Sequence, residues 1–122
     1  MTGTADRVVP WQPGVRWQVI CQDEAQWRVG IYSPPEASAS DITELEQHDC
    51  PELFLLLEGE LTIVCREANG DLREIALSRT HPVLVTSPHG GFCPGGPFTG
   101  VALVVERATF ETLYTPLAPA LL

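Results

Sequence analysis

The residues best suited to chemistry lie in one short run, "ELEQHDCPE". In an extended strand Glu44, Glu46 and His48 project from the same face, because alternate side chains share a side. Glu52 follows Pro51, which can bend the strand and return the carboxylate toward the same point. One imidazole with two carboxylates is a competent ligand set for a divalent metal ion. The run therefore predicts either a metal site or a polar strand end that faces water.

Short strands must position these residues, since apolar or alternating runs recur along the chain with turn signals between them. This rhythm is typical of an all-β fold, a small antiparallel barrel or jelly roll, and not of βαβ units. We predict about eight strands, at 15–21, 27–33, 41–48, 52–57, 60–67, 72–78, 82–86 and 98–110.

The connections carry their own signals. Asn69-Gly70 suits the positive φ angles of a type I′ hairpin turn. The Gly- and Pro-rich segment 87–97 is predicted to be a loop, and the tail "FETLYTPLAPALL" has a weak helical pattern that two prolines interrupt. The strand "ELFLLLEG" is apolar on both faces, so we expect a second layer, such as another subunit, to cover its outer side.

Composition narrows the class of protein. A chain of 122 residues is the size of one domain, with its core at about 15–110 and peripheral ends. Acidic residues outnumber basic ones 16 to 7, which argues against nucleic acid as a partner. The chain has no lysine, no nucleotide-binding fingerprint, no signal peptide and no apolar run of membrane-spanning length, so we expect a cytoplasmic protein. The cysteines show no CxxC pair and are predicted to be free thiols: Cys21, Cys50, Cys65 and Cys93.

The run around His48 resembles the first motif of the cupins, G-x5-H-x-H-x3,4-E-x6-G. Ser40 aligns with the first Gly and Glu46 with the first His, so both positions depart from the motif. His48, Glu52 and Gly59 match the second His, the Glu and the closing Gly.

The second cupin motif, G-x5-P-x-G-x2-H-x3-N, aligns without a gap on residues 82–97. Pro88 and Gly90 match it, whereas Pro82 replaces the first Gly and Pro97 the Asn. Cys93 stands where the metal-binding His of the family is expected. Two motifs in order, with a two-strand hairpin between them, make the chain similar to the cupins over about residues 40–106.

The resemblance implies a double-stranded β-helix with a metal centre in the barrel. Carried over position by position, the ligands would be Glu46, His48, Glu52 and Cys93, a set competent for zinc or iron. Such a set brings up to three negative charges to one dication, so a protonated carboxyl or a metal-free site is the alternative.

Several nearby residues have two interpretations. Cys93 is either a ligand or reactive thiol, or a small buried residue beside Phe92. His89 either turns inward and supplies a missing imidazole or stands exposed on its loop, as loop histidines more often do. His81, before a proline, is expected at a surface turn. The aromatic side chains are expected in the core or along the barrel lining.

Three functions follow from this pattern. A metal held at the site would act as a Lewis acid or, if iron, engage dioxygen, with His48 and Glu52 nearest the chemistry on a small organic molecule. Without metal, the same pair would orient a ligand in a binding or sensing module. Metal-free acid/base catalysis by His48 lacks an evident partner acid. We also expect a homodimer, because edge strands and the apolar segments need covering, and the tail "TPLAPALL" is a candidate to contact the partner.

Overall fold

The chain forms two antiparallel five-stranded sheets that face each other. A computed structural model describes residues 6–117. Apart from one 3₁₀ turn at Ala39–Asp41, the regular structure of this part of the chain consists of strands. The strands are β1 (Trp17–Asp23), β2 (Trp27–Tyr32), β3 (Glu44–His48), β4 (Glu52–Glu58), β5 (Thr62–Arg66), β6 (Leu72–Ala76), β7 (Val83–Val85), β8 (His89–Phe92), β9 (Val101–Arg107) and β10 (Thr112–Pro116).

The strand order explains how distant segments meet. Sheet I has the order β1-β2-β9-β4-β7, and sheet II has the order β10-β3-β8-β5-β6. Because side chains alternate along each strand, one face of each sheet points between the sheets. The core there is apolar and its buried members are Phe54, Leu56, Leu61, Ile63, Cys65, Leu77, Val85, Cys93, Ala102 and Val104. This arrangement confirms the predicted all-β jelly roll.

Two predicted connections are strands instead. The segment 87–97 contains β8, which pairs with β5 over four residues and with β3 at one. Its glycines serve the packing, since a Cβ on Gly91 would lie 2.7 Å from the Tyr32 hydroxyl and one on Gly90 would lie 3.1 Å from Ile42. The weak helical pattern after residue 110 was also misleading, because β10 pairs along all of β3.

The Asn69-Gly70 turn is not type I′. Gly70 has a φ of 93°, whereas Asn69 does not have a positive φ, so only one residue adopts the required conformation. The Gly70 N–H donates to Glu67 O and the Glu67 N–H to Asp71 O, at 2.9 and 2.7 Å. This is the three-residue alternative, a type I turn closed by a glycine bulge.

The outer faces of the two sheets differ. Sheet II buries a second apolar cluster, in which Leu45, Val64 and Phe92 pack against Ile42 and Leu117. Leu117 thus belongs to the described fold, while the rest of the tail, 118–122, lies outside the described residues.

On sheet I the outer face is apolar and less covered. The register places Val29, Val105, Leu53 and Leu84 in one row across four strands. Leu53 is 37% exposed and Leu84 is 62% exposed. Within residues 6–117, β4 is therefore fully covered on its inner side and only partly covered on its outer side.

No helix within residues 6–117 is long and apolar enough to cross a membrane.

The tight turn between β4 and β5 provides a test of the packing. Gly59 has a φ of 64°, and a Cβ there would lie 2.1 Å from the carbonyl oxygen of Thr99. Gly59→Ala should lower the free energy of unfolding by about 3 kcal/mol, because it adds a backbone clash to the roughly 1–2 kcal/mol of left-handed strain. Gly70→Ala, at φ 93° with open space around it, is the matched control and should cost only the strain. Equal shifts of the urea midpoint would show that Thr99 yields without cost.

Candidate functional site

One end of the space between the sheets is an open cavity of about 550 Å³, within the range of small-molecule sites. Both sheets contribute polar side chains to it, and several aromatic rings complete the wall. Its lining residues are Arg16, Trp17, Arg28, Tyr32, Glu36, Ile42, Thr43, Glu44, Glu46, His48, Glu52, Phe54, His89, Gly90, Gly91, Glu106, Phe110, Thr112 and Tyr114.

The carboxylate of Glu52 is the centre of this cavity. Its Oε1 lies 3.2 Å from His48 Nε2 and 3.1 Å from His89 Nε2. Glu52 starts β4 in sheet I, whereas His48 ends β3 and His89 starts β8 in sheet II. Glu52 is 4% exposed, so the two sheets meet through a buried polar contact. Such a contact is stable only if every charge in it is compensated.

The proton on His89 can be placed from its partners. Its Nδ1 lies 2.9 Å from the carbonyl oxygen of Ser87, and a carbonyl only accepts, so Nδ1 carries a hydrogen. In the neutral ring Nε2 then presents a lone pair to the Glu52 carboxylate. The contact therefore requires a cation between the two groups, either a proton or a metal ion.

The negative charge of Glu52 also affects the pKa of His89. Burial opposes the charged ring, but the hydrogen bond and the charge of Glu52 outweigh it and raise the pKa above the ordinary value of 6.5. The Nδ1 of His48, by contrast, lies 2.8 Å from the Thr112 hydroxyl, which can donate or accept. That partner leaves either tautomer of His48 available.

A second buried carboxylate, Glu106 of β9, stands beside Glu52. Arg28 holds its Oε2 at 2.6 Å, but its Oε1 is buried and has no hydrogen-bond partner within residues 6–117. Burial and the neighbouring Glu52 raise the pKa of Glu106 to about 7, although Arg28 opposes the shift. Ligand atoms of His48, Glu52 and Glu106 all lie within 4.8 Å of one another.

Aromatic rings frame these groups. The ring of Phe110 lies against His48, with centroids 4.1 Å apart, and Arg28 sits 4.7 Å from the same Phe110 ring. Tyr32 lines the wall, where burial raises the pKa of its hydroxyl and keeps it protonated. Trp17, Tyr32 and Phe54 lie along the lining, as the sequence predicts, whereas Trp27 is 45% exposed and lies outside both core and lining.

Comparison with known proteins bears on the fold. No family model matches the chain, and no curated protein matches it in sequence. A cupin 2 domain-containing protein from Halorhodospira halophila superposes with a TM-score of 0.62 at 13% identity, over 96% of this chain and 74% of that one.

Two longer proteins superpose as well. The capsular polysaccharide assembling protein CapF from Staphylococcus aureus gives a TM-score of 0.60 at 16% identity, over 93% of this chain. The iron(II) form of HppE gives 0.60 at 15% identity, over 88% of this chain. This chain spans 34% of the CapF chain and 62% of the HppE chain.

The chain has the cupin fold. The resemblance that the two sequence motifs suggested is therefore confirmed at the level of architecture. Identities of this size show the fold alone, so the role of each cavity residue has to be argued from its own geometry.

On the cupin fold, the structure brings together three of the four residues that the motifs indicate. His48 and Glu52 meet at 3.2 Å, and Glu46 Oε1 lies 3.7 Å from His48 Nε2 with its side chain 42% exposed. Their roles as metal ligands, and those of His48 and Glu52 in catalysis, remain predictions.

Cys93 is not brought to this group. It is fully buried in the apolar core, its Sγ lies 3.4 Å from Pro34 O, and it accepts the Gly100 N–H at 3.3 Å. The physical reason is distance along the strand, because four residues beyond His89 correspond to about 13 Å of extended chain. Burial raises the pKa of the Cys93 thiol, which matches the interpretation as a small core residue.

From the sequence, an inward-facing His89 is the less favoured of two interpretations, and Glu106 and Arg28 are not identified as site residues. His89 of β8 is paired with Glu46 of β3. Once this pairing is known, the inward position of Glu46 predicts that His89 also points inward. Glu106 had a usable signal: it follows Ala102 and Val104 at alternating positions of "VALVVER", on the buried face of an apolar strand.

The raised pKa values predict how stability depends on pH in protein kept metal-free with chelator. A group whose folded pKa exceeds its unfolded pKa binds more protons in the folded state, so stability falls as pH rises through that interval. For Glu106 this interval runs from 4.5 to about 7, and for His89 it lies above 6.5. We expect unfolding free energy to fall by about 1–3 kcal/mol from pH 5 to pH 8.

Urea titrations at each pH would measure this slope. Glu106→Gln should flatten its lower part, while Glu74→Gln, an exposed carboxylate on β6, should leave it unchanged. Asp49, whose pKa is lowered mainly by the Glu111 N–H, acts below this window. Stability that rises between pH 5 and pH 8 would contradict the assignment.

Proposed function

We propose that the cavity binds one divalent metal ion through His48, His89 and Glu52, and that the protein acts there on a small organic molecule. The observation that carries the proposal is the approach of His89 Nε2 to Glu52 Oε1 at 3.1 Å while Nδ1 donates to Ser87 O. Metal-binding histidines are typically held in this way, with the second ring nitrogen donating to a carbonyl.

The donors fit zinc or ferrous iron. Two imidazole nitrogens and one carboxylate are ligands that both ions accept. A carboxylate oxygen of Glu106 lies within 4.8 Å of the His48 and Glu52 ligand atoms, so Glu106 is a further candidate ligand. The proposed set thus keeps His48 and Glu52 from the sequence, places His89 where Cys93 was expected, and leaves Glu46 at the rim.

A metal at this position would supply Lewis-acid activation of a carbonyl or hydroxyl or, as iron, reaction with dioxygen. The chain's own groups would prepare the site. Thr112 and Ser87 orient the two imidazole rings through their Nδ1 atoms, and Arg28 holds Glu106. The structural similarity to the iron(II) form of HppE supports this proposal by analogy of fold.

A metal-free binding module is the alternative, and the raised pKa of His89 favours it. If His89 is an imidazolium, Glu52 accepts hydrogen bonds from a charged ring and the site is satisfied without metal. The pocket would then bind or sense a small ligand without catalysis.

Metal content distinguishes the two proposals. Untagged protein, dialysed against each ion and then against buffer, should retain about one equivalent of zinc or iron by inductively coupled plasma mass spectrometry. Glu52→Ala and His89→Ala should each lose most of it, because they remove a ligand. Cys93→Ser should retain it, since that thiol lies in the core.

His81→Ala is the matched control, because this exposed histidine contacts Thr80 outside the cavity. Wild-type protein that stays empty after exposure to each ion would reject the metal centre. Loss of metal in Cys93→Ser with retention in His89→Ala would instead restore the ligand set read from the motifs.

We also propose that the protein is a homodimer through the outer face of sheet I. The support is the apolar row of Val29, Val105, Leu53 and Leu84, of which the two leucines are the more exposed. A second copy would bury these side chains, and an isologous contact needs only one such surface.

Sedimentation velocity tests this surface. Wild-type protein should sediment as a dimer, and Leu53→Asp with Leu84→Asp should convert it to monomer by placing charges in an apolar contact. Leu72→Asp changes a leucine that is 50% exposed on β6 of sheet II and should leave the dimer intact. A wild-type monomer at all concentrations would reject the proposal.

A further inference from the structure

The charges on the cavity wall are unbalanced. Five carboxylates line it against two guanidinium groups, which leaves three uncompensated negative charges when both imidazoles are neutral. With all five carboxylates ionised, a bound dication or protonation of both imidazoles still leaves one, and protonation of Glu106 removes it. With its carboxylates ionised, the cavity therefore disfavours anionic molecules.

The pairing of these groups locates the excess. Arg16 forms a two-pronged ion pair with Glu36, at 2.8 and 3.0 Å. Arg28 binds one oxygen of Glu106, and among the described residues the other oxygen has no hydrogen-bond partner although the side chain is 1% exposed.

Three lining carboxylates form no ion pair with an arginine within residues 6–117: Glu52, which lies between the two imidazoles, and Glu44 and Glu46 on β3. The Oε1 of Glu46 lies 3.7 Å from His48 Nε2, and the Glu46 side chain is 42% exposed. Apart from the charge of Glu52, which faces the two imidazoles, the excess negative charge therefore lies at the rim, on the strand next to β10.

An aromatic ring stands beside this charge. Tyr114 of β10 is directly paired with Glu46 in the register, and both residues line the cavity. Cross-strand neighbours have Cβ atoms about 5 Å apart, so one ligand group can contact both side chains. Tyr114 is 60% exposed, so much of its side chain is open to a ligand. Trp17 and Phe110, by contrast, already have Arg28 over their rings, at 5.7 and 4.7 Å.

We propose that the rim formed by Glu46 and Tyr114 binds the cationic ammonium group of a small organic ligand. The carboxylate supplies an ion pair, and the ring supplies a cation–π contact, the combination that recognises alkylated amines. The rest of the molecule enters the cavity toward His48 and Glu52. This inference rests on the proposed small-molecule pocket, but it does not depend on the metal.

The test uses three probes of similar size: benzyltrimethylammonium, N,N-dimethylbenzamide and benzenesulfonate. The quaternary ammonium has no lone pair, so it cannot bind by ligating a metal. Binding is measured by calorimetry on zinc-exposed protein and on chelator-treated protein. We expect both forms to bind the cation more tightly than the neutral probe, with no binding of the sulfonate.

Variants identify the groups. Glu46→Gln and Tyr114→Leu should each weaken binding of the cation by about twofold to fivefold, the range of a partly exposed ion pair or cation–π contact. Tyr114→Phe keeps the ring and should bind as wild type. Glu74→Gln, outside the cavity, is the control for net charge.

The outcomes separate this inference from the proposed metal centre. If zinc-exposed protein retains no metal and still prefers the cation, the rim is supported and the metal proposal is rejected. Metal retention with equal binding of the cationic and neutral probes, with tighter binding of the sulfonate, or with no binding of the cation would overturn the rim assignment. Equal effects of Glu46→Gln and Glu74→Gln would also overturn it.

Discussion

A buried carboxylate between two imidazoles is the constraint on which the rest of the site depends. Glu52 is 4% exposed and shares one oxygen with both rings, and Glu106 lies close enough to raise the local negative charge further. Removing such groups from water costs several kcal/mol per ion unless cations and donors compensate them. Arg28 compensates Glu106 in part, and bound protons or the proposed metal ion would compensate the rest.

This constraint explains why residues distant in sequence act together. β3 and β8 present the imidazoles from sheet II, whereas β4 and β9 present the carboxylates from sheet I. Arg28 on β2 is paired with Glu106 in the register and neutralises it in part. The apolar core beyond these groups fixes the spacing between the sheets, so the polar contacts are positioned by packing and not by loops.

The fold was largely readable from sequence because its strands alternate apolar and polar residues. Two strands, β8 and β10, were not predicted from the sequence. β8 consists of His89, two glycines and Phe92, so it carries little β propensity of its own and exists because β5 and β3 supply partners. β10 has a proline at its end and lies at a sheet edge, where strand and irregular tail look alike in sequence.

The site was readable only in part, for a related reason. Period-two alternation correctly placed Glu46 and His48 on one face, and the connection 49–51, which bends at Asp49 and Cys50 and passes to the other sheet, brings Glu52 to them. A gapless motif alignment put Cys93 at the remaining position, but such an alignment cannot tell which inward residue of β8 lies at the open end of the barrel. Strand pairing decides this, since Glu46 is paired with His89.

The edge strand β10 has a practical meaning for anyone handling this protein. It closes sheet II by covering β3, and it supplies Thr112 to the His48 ring and Tyr114 to the rim. A fragment that ends at Arg107 would keep both imidazoles and both carboxylates, yet it would expose the backbone of β3 as an unpaired edge prone to self-association. Affinity tags and fusions are therefore better attached at the N-terminal end, where the first strand borders sheet I and contributes Trp17 alone to the cavity.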